Sequence, residues 1–365
     1  MIEGRALDMY LLPWVLVTLN AAIWTYVVEE GYINLSSSNN YNDNTDDQNG
    51  GESGARTSVL AEVDFSSYEV FFALVLNSSL AFLLVFRLNR SAERFWNARA
   101  SWGIIVAHSR AIVNGVLVHC SNNYKSQGRS TTRREAKYVN DLEEEVENNI
   151  TSMEYHRDEV IRWVAAFSVT CMHFIRGKSE LYPNTLLGIL NEEQIYQLEQ
   201  QNHSAIYAAD NIRYHLKQLF YVTYDTPISI ATSYTQILDT LEQNVNGLIL
   251  HLGALERIRS TPLPLVYVSH LRTFLLIFLI SLPYVWENTL GYATIPIVAV
   301  TAFALLGLEG AAQEVESPFL KHRTNHLNMD SFCITLLSNI TQLVTLNADR
   351  EIKMSAQKRP EAAQK

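Results

Sequence analysis

Two long apolar runs in the second half of this chain constrain its fold more than any other feature. Residues 266–286 carry only His270 and Arg272 near their start, and residues 291–308 carry no charge at all. A helix needs roughly 20 apolar residues to cross about 30 Å of hydrocarbon. Both runs are near that length, so the sequence predicts an integral membrane protein.

Two further candidate spans precede these runs. Residues 9–28 are apolar and carry aromatic side chains toward both ends, a placement that is typical of the membrane interface. Residues 68–86 form the other span and contain a polar Asn-Ser-Ser sequence at 77–79. Because an arginine-rich segment follows Phe86, we expect this helix to leave the membrane and continue into water.

The composition indicates that membrane helices are only part of the chain. Charged residues make up 18% of the 365 residues, which is too many for a chain that lies entirely in lipid. Residues 29–67 are rich in asparagine, serine and aspartate and predict a flexible loop. Soluble helices are predicted over 114–257. Within them, 158–175 is expected to be a buried helix, with a fifth span as the alternative, and 237–255 has one apolar face at helical spacing.

These patterns predict an all-α membrane protein with four transmembrane helices and a helical cytosolic domain. The loop at 29–67 is acidic, whereas basic residues flank the other ends of the spans. Basic flanks tend to stay in the cytosol, so both termini and the middle region are predicted to be cytosolic. The predicted organisation is 1–113 with the first two spans, 114–257 as the cytosolic domain, 258–347 with the last two spans and a cytosolic extension, and 348–365 as a polar tail.

Motifs for catalysis and cofactor binding are weak. Gly177-Lys178-Ser179 lacks the first glycine of a phosphate loop because position 172 is methionine. His322 and His326 occur without an HExxH motif, so surface histidines are expected rather than a zinc pair. The 3 cysteines are far apart, and a net charge of -10 argues against nucleic-acid binding. No enzyme, cofactor or metal site is predicted.

Three ordered blocks resemble the bestrophin family, specifically its plant, algal, fungal and bacterial branch. They are FRLNRSAERFWNARASWG at 86–103, GALERIRSTPLPLVY at 253–267 and LPYVWENTLGYATIPIVAVTAFALLGLEGAAQEVESPF at 282–319. With the spacing between them, they cover nearly all of the chain outside the asparagine-rich loop. The resemblance implies a pentameric anion channel with four membrane helices per subunit and a helical cytosolic domain.

The resemblance also implies where ions pass. In the family the second span lines the narrow neck of the pore, and counting back from the motif at Arg94 places the neck at Ser78, Phe82 and Phe86. Residues four apart share one helix face. Packing between membrane helices is the alternative for phenylalanines at this spacing. Ser78 departs from the family's bulky apolar residue, which predicts a wider and wetter outer neck.

A second constriction in the family matches the segment around 259–264, where Thr261 and Leu263 are the candidates. Arg257 and Arg259 are expected to attract anions toward the inner vestibule. Structural ion pairs, for instance with Glu256 or Glu309, are the alternative for these arginines.

The acidic residues after the last span are expected to be structural. Glu309, Glu314 and Glu316 match the family's acidic helix, and we expect them to pair with arginines. The animal branch binds calcium after the Pro-Phe sequence that matches 318–319. Here residues 320–325 contain lysine, histidine and arginine but no carboxylate, so no calcium site is predicted. Leu320 replaces the family's glycine.

Two classes of function remain open. The leading one is a homo-oligomeric channel in the lipid bilayer that passes chloride and other monovalent anions passively, in a plasma membrane or an organelle membrane such as a plastid's. The other is a membrane-anchored scaffold that does not conduct and docks a partner on the acidic helix around 142–147. The polar residues at 77–79 favour conduction, because a pore needs small or polar side chains facing inward and a scaffold does not.

Overall fold

The computed structural model describes residues 5–30, 75–120, 139–177, 183–222, 227–320 and 326–362. Most of the asparagine-rich loop, the start of the second span, residues 321–325 and the last three residues of the tail lie outside this part. Within it the chain is helical, with one isolated bridge between Leu187 and Leu190 and no strand. The prediction of an all-α protein is confirmed.

The helices are numbered here in chain order. They are α1 (Arg5–Glu29), α2 (Asn77–His119), α3 (Val139–Ile175), α4 (Pro183–Leu186), α5 (Glu192–Glu199), α6 (Ser204–Leu219), α7 (Ile228–Ser260), α8 (Leu265–Leu290), α9 (Thr294–Glu316) and α10 (Met329–Ala362). A single 3-10 turn, Gly291–Ala293, joins α8 to α9.

Among the described helices, 4 are long and apolar enough to cross a membrane. They are α1 from Tyr10 onward, α2, most of α8, and α9 with the turn before it. The prediction of four membrane helices is confirmed, although the first residues of the span predicted at 68–86 lie outside the described part. The protein is an integral, multi-pass membrane protein. Residues 158–175 lie in α3, where Trp163 and Phe167 are 2% and 0% exposed. This segment is a buried helix, as predicted, and not one of the spans.

The chain divides into two compact units. The membrane unit comprises Met1–Arg94 and Pro262–Glu316, and the helical unit comprises Phe95–Thr261 and Ser317–Lys365. The 43-residue helix α2 contributes its first part to the membrane unit and the remainder to the helical unit. The boundaries predicted from the sequence concern where the chain leaves the membrane, and they stay predictions.

In the membrane unit α1 runs antiparallel to α9. Tyr10, near the start of α1, donates a hydrogen bond to the side-chain oxygen of Gln313, near the end of α9, over 2.6 Å. Glu29, at the end of α1, lies beside Gly291 just before α9. Gly291 has a φ of +52°, and a Cβ there would lie 2.5 Å from the Glu29 carboxylate. The positive φ requires glycine at this turn, whereas the Glu29 side chain could move away from a Cβ.

The helical unit has a core of its own. Helix α3 packs along α6, and α7 contributes the apolar face that its spacing predicts: Leu241, Val245, Leu248, Leu252 and Leu255 are all buried. Cys171 and Cys333 are buried as small apolar side chains, whereas Cys120 is half-buried. All of the cysteines are free thiols.

Candidate functional site

One side of α2 is left uncovered by the membrane unit. Phe82 and Phe86 are 70% and 40% exposed, and Ser78 is exposed one turn earlier. The opposite side enters the core through Leu80 and Leu84, which are 1% and 4% exposed. Residues four apart on an α-helix differ by only about 40° in direction. The residues predicted for the neck therefore share the uncovered side of α2.

The two phenylalanine rings of this face lie one above the other. Their centroids are 6.4 Å apart and their planes differ by 22°. Phe86 also meets Tyr267 of α8 edge-on at 6.1 Å, and the Arg90 guanidinium lies 5.1 Å from the Phe86 ring centroid. Phe86 is thus held by its neighbours, while most of the Phe82 surface faces away from the unit.

A buried charge network ties α2 to α8 and α9. Arg87 is 0% exposed, and its Nε donates to Glu309 Oε2 over 2.8 Å. Arg272 of α8 donates through its own Nε to Glu309 Oε1, also over 2.8 Å. One carboxylate that is 1% exposed therefore binds two arginines. Its location requires such partners, because an unpaired charge away from water is strongly unfavourable.

Glu316, the last residue of α9, supplies the second carboxylate of this network. Its Oε2 accepts a hydrogen bond from Arg87 Nη2 over 3.1 Å, and its Oε1 accepts one from the Leu263 backbone N–H over 3.1 Å. Arg94 Nε donates to the Glu316 backbone carbonyl over 3.2 Å. These contacts agree with the structural role expected for Glu309 and Glu316, which stays a prediction.

The residues expected at the second constriction follow the end of α7. The backbone N–H of Thr261 donates to the Arg257 carbonyl over 3.1 Å and closes the helix, and the Thr261 side chain is exposed. Leu263 is half-buried and lies between Pro262 and Pro264, ahead of α8. A pore-facing role for Thr261 and Leu263 stays a prediction.

The arginines near the end of α7 have different surroundings. Arg257 is exposed. Arg259 lies 5.5 Å from the centroid of the Phe174 ring and donates to the Phe174 carbonyl over 2.6 Å. Glu256, one of the acidic partners considered for these arginines, binds His203 over 2.6 Å instead. The other, Glu309, is bonded to both arginines of the buried network.

The sequence does not identify Arg272 as part of this network. A signal for it exists, since Arg272 is a charged residue within an apolar span, and such residues pair inside the protein. Its partner Glu309 is 37 positions away, and Arg87 is 222 positions from the same carboxylate. Only the packing of α2, α8 and α9 brings these groups together.

The described residues contain no group of three or more side chains that could hold a metal ion. The expectation of a surface histidine is wrong for His326, which is buried at 8% exposed and accepts a hydrogen bond from the Leu320 N–H through Nδ1. His322 and the position matching the calcium site lie outside the described ranges. Gly177 ends α3 with a φ of +76°, and a Cβ there would lie 2.8 Å from the Arg259 guanidinium. The positive φ at the end of α3 therefore explains this glycine without a phosphate-binding role.

Comparison with known proteins identifies the class to which this fold and site belong. A model of the bacterial and fungal bestrophin proteins matches residues 57–342, which is most of the chain. The chain therefore belongs to the bestrophin family, as the three sequence blocks predict.

Among individual relatives, the voltage-dependent anion channel-forming protein alr2987 of Nostoc is 29% identical over 268 residues, covering 73% of this chain and 75% of that protein. The chloroplastic voltage-dependent chloride channel 2 of Arabidopsis thaliana is 24% identical, covering 73% of this chain and 54% of that protein.

Solved structures share the fold. A bacterial bestrophin homolog from Klebsiella pneumoniae matches with a TM-score of 0.63 and 18% identity, covering 91% of this chain and 97% of that one. A single-substitution variant of a Klebsiella pneumoniae bestrophin homolog matches with a TM-score of 0.65 and 19% identity, covering 93% and 98%. The backbone arrangement is thus that of bestrophins, at a sequence identity that supports the fold alone.

Proposed function

We propose that this chain is a subunit of an oligomeric channel that passes chloride and other monovalent anions passively through a pore lined by α2. The observation that carries the proposal is the uncovered side of α2, with Phe82 70% exposed and stacked on Phe86 while the opposite side is buried. The relatives in Nostoc and Arabidopsis that bear anion- and chloride-channel names support the same class.

More than one copy is needed to enclose this pathway, because the face lies on the outside of the membrane unit. Copies arranged around an axis would turn Ser78, Phe82 and Phe86 each into a ring of identical side chains. The resemblance to bestrophins implies five copies. The pathway would then narrow at the phenylalanine rings and be more polar at Ser78.

Aromatic rings of this kind suit weak anion contact. The edge of a phenylalanine ring is positive and its face is negative, so rings that present their edges inward attract an anion without the deep binding of a lysine ring. Conduction needs binding that is favourable enough for entry and weak enough for exit, and an apolar constriction can also close by dewetting. A pore without a fixed lysine ring should favour the less hydrated anions.

The remaining candidates fit a second barrier and an entry region. In this proposal Thr261 and Leu263 form the inner aperture, and the exposed guanidinium of Arg257 raises the local concentration of anions beside it. Arg94, Glu309 and Glu316 contribute through the buried network that holds α2 in place and do not contact the ion.

Planar-bilayer recording of the purified protein under a chloride gradient, with calcium chelated, tests this function. We expect a current that reverses near the chloride equilibrium potential in the chelator. A current that appears only after calcium is added would keep the channel and overturn the prediction that calcium is not needed. Silence in both conditions, from protein shown to be a stable oligomer, would contradict the proposed function and favour the scaffold.

A further inference from the structure

The turn between α7 and α8 has very few backbone hydrogen-bond donors. Proline has no backbone N–H, and positions 262 and 264 are both prolines. Leu263 therefore provides the single backbone donor of the segment 262–264. That donor is bound to Oε1 of Glu316 over 3.1 Å, so the turn is tied through this carboxylate.

The same residue is bound to α2. Oε2 of Glu316 accepts from Arg87 Nη2 over 3.1 Å, and the Glu316 carbonyl accepts from Arg94 Nε over 3.2 Å. Arg87 and Arg94 are seven residues apart, about two helical turns, and so lie on the same side of α2. The Glu316 side chain is only 12% exposed, so these bonds are poorly screened by water.

We propose that Glu316 is a positioning residue that couples the neck face of α2 to the Leu263 constriction, an inference that rests on the proposed function. Each of its carboxylate oxygens serves a different structure, one the turn and the other α2. A shift of α2 relative to α9 must then stretch the Arg87 bond or pull the carboxylate away from Leu263. The two constrictions are expected to open together rather than separately.

The variant Glu316→Gln tests whether both bonds are needed. Arg87 and Leu263 bond to different oxygens of the Glu316 carboxylate. In glutamine one of these positions becomes an NH2 group, which can only donate, so the variant loses at least one of the two bonds. The matched control is Glu93→Gln, which removes the Arg90–Glu93 pair of 2.9 Å, both of whose side chains are more than half exposed. A second variant, Arg94→Gln, removes one attachment of α2 and leaves the buried pair of Arg87 and Glu309 intact.

The first measurement is hydrogen exchange at the Leu263 amide in the full-length oligomer. We expect exchange at least about tenfold faster in Glu316→Ala, which removes both side-chain acceptors, than in wild type, and unchanged exchange in Glu93→Ala. Equal protection in wild type and Glu316→Ala would show that the bond does not hold the turn and would overturn the proposal. This readout needs no current, so it separates failure of this inference from failure of the channel function.

The second measurement is a double-mutant cycle on open probability between Phe82→Ala at the neck and Leu263→Ala at the aperture. For two gates that open independently in series, the fold-changes multiply. We expect the open probability of the Phe82→Ala, Leu263→Ala double variant to differ from that product by at least about twofold. This should hold in the wild-type background and in the Glu93→Gln background. The departure should vanish in Glu316→Gln and shrink in Arg94→Gln. A product rule that already holds in wild type, or a departure that survives Glu316→Gln, would overturn the coupling.

Discussion

Replacing both neck phenylalanines, Phe82→Ala together with Phe86→Ala, is expected to raise the single-channel conductance or the open probability for chloride. The exposed rings are the bulkiest side chains on the uncovered side of α2 within the membrane unit, so their removal widens and wets the proposed constriction. If the rings contribute even about 1 kcal/mol to the barrier, the rate of passage rises about fivefold. Single-channel recording under symmetric chloride measures both quantities.

The matched control for this double variant is Phe303→Ala on α9. Phe303 is 59% exposed and belongs to another span, so it loses the same ring at a surface that the proposal places outside the pore. Its conductance should match the wild type. Unchanged conductance, selectivity and open probability in the double variant would show that the neck assignment is wrong.

Breaking the buried network at Glu309 is expected to have the largest effect on stability. Glu309→Ala leaves the guanidiniums of Arg87 and Arg272 without the carboxylate that both contact at 2.8 Å. Removal of one partner from a buried ion pair costs about 3–5 kcal/mol. We expect a sharp loss of folded oligomer and a large fall in the thermal midpoint. The measurement is the fraction of the oligomer peak that remains on size-exclusion chromatography after heating to a series of temperatures.

An exposed ion pair on α2, the helix that carries Arg87, provides the comparison. Glu93→Ala removes the partner of Arg90, and a pair that is exposed on both sides contributes about 0–1 kcal/mol. This variant should therefore retain its oligomer. A Glu309→Ala protein as heat-stable as Glu93→Ala would contradict the structural role assigned to the network.

The sequence predicts the spans well because each is set by a local property. Long runs with few charges identify α1, α8 and α9, and the spacing of apolar residues identifies the buried face of α7. The same reasoning separates residues 158–175 from the spans, since this segment is short and carries Arg162. In the structure its largest side chains are buried within the helical unit.

The partners of charged residues are harder to predict, because they depend on which helices pack together. From the sequence we expect that Glu309 can pair with arginines near the end of α7. In the structure the Glu309 carboxylate binds Arg87 and Arg272 instead. The hydrogen bond from the Leu263 N–H to the Glu316 side chain could not be predicted from the sequence either. The neck face is an intermediate case. Four-residue spacing places Ser78, Phe82 and Phe86 on one side, but only the packing of Leu80 and Leu84 leaves that side uncovered.

Accessibility of cysteines placed on this face would test the pore assignment. The native cysteines should react little with a thiol reagent. Burial raises the pKa of the Cys120 and Cys333 thiols to about 12 and that of Cys171 well above its usual value. Such thiols hold almost no reactive thiolate at neutral pH. New cysteines at exposed positions should therefore dominate the reaction with a charged thiol reagent.

The most direct measurement is the chloride current of Ser78→Cys and Phe82→Cys channels before and after a negatively charged methanethiosulfonate reagent. Val300→Cys on α9, where Val300 is 69% exposed, is the control. If α2 lines the pore, the reagent should block the current in the two α2 variants and leave the control unchanged. An undiminished current in both α2 variants, or equal block in the control, would contradict a pore lined by α2.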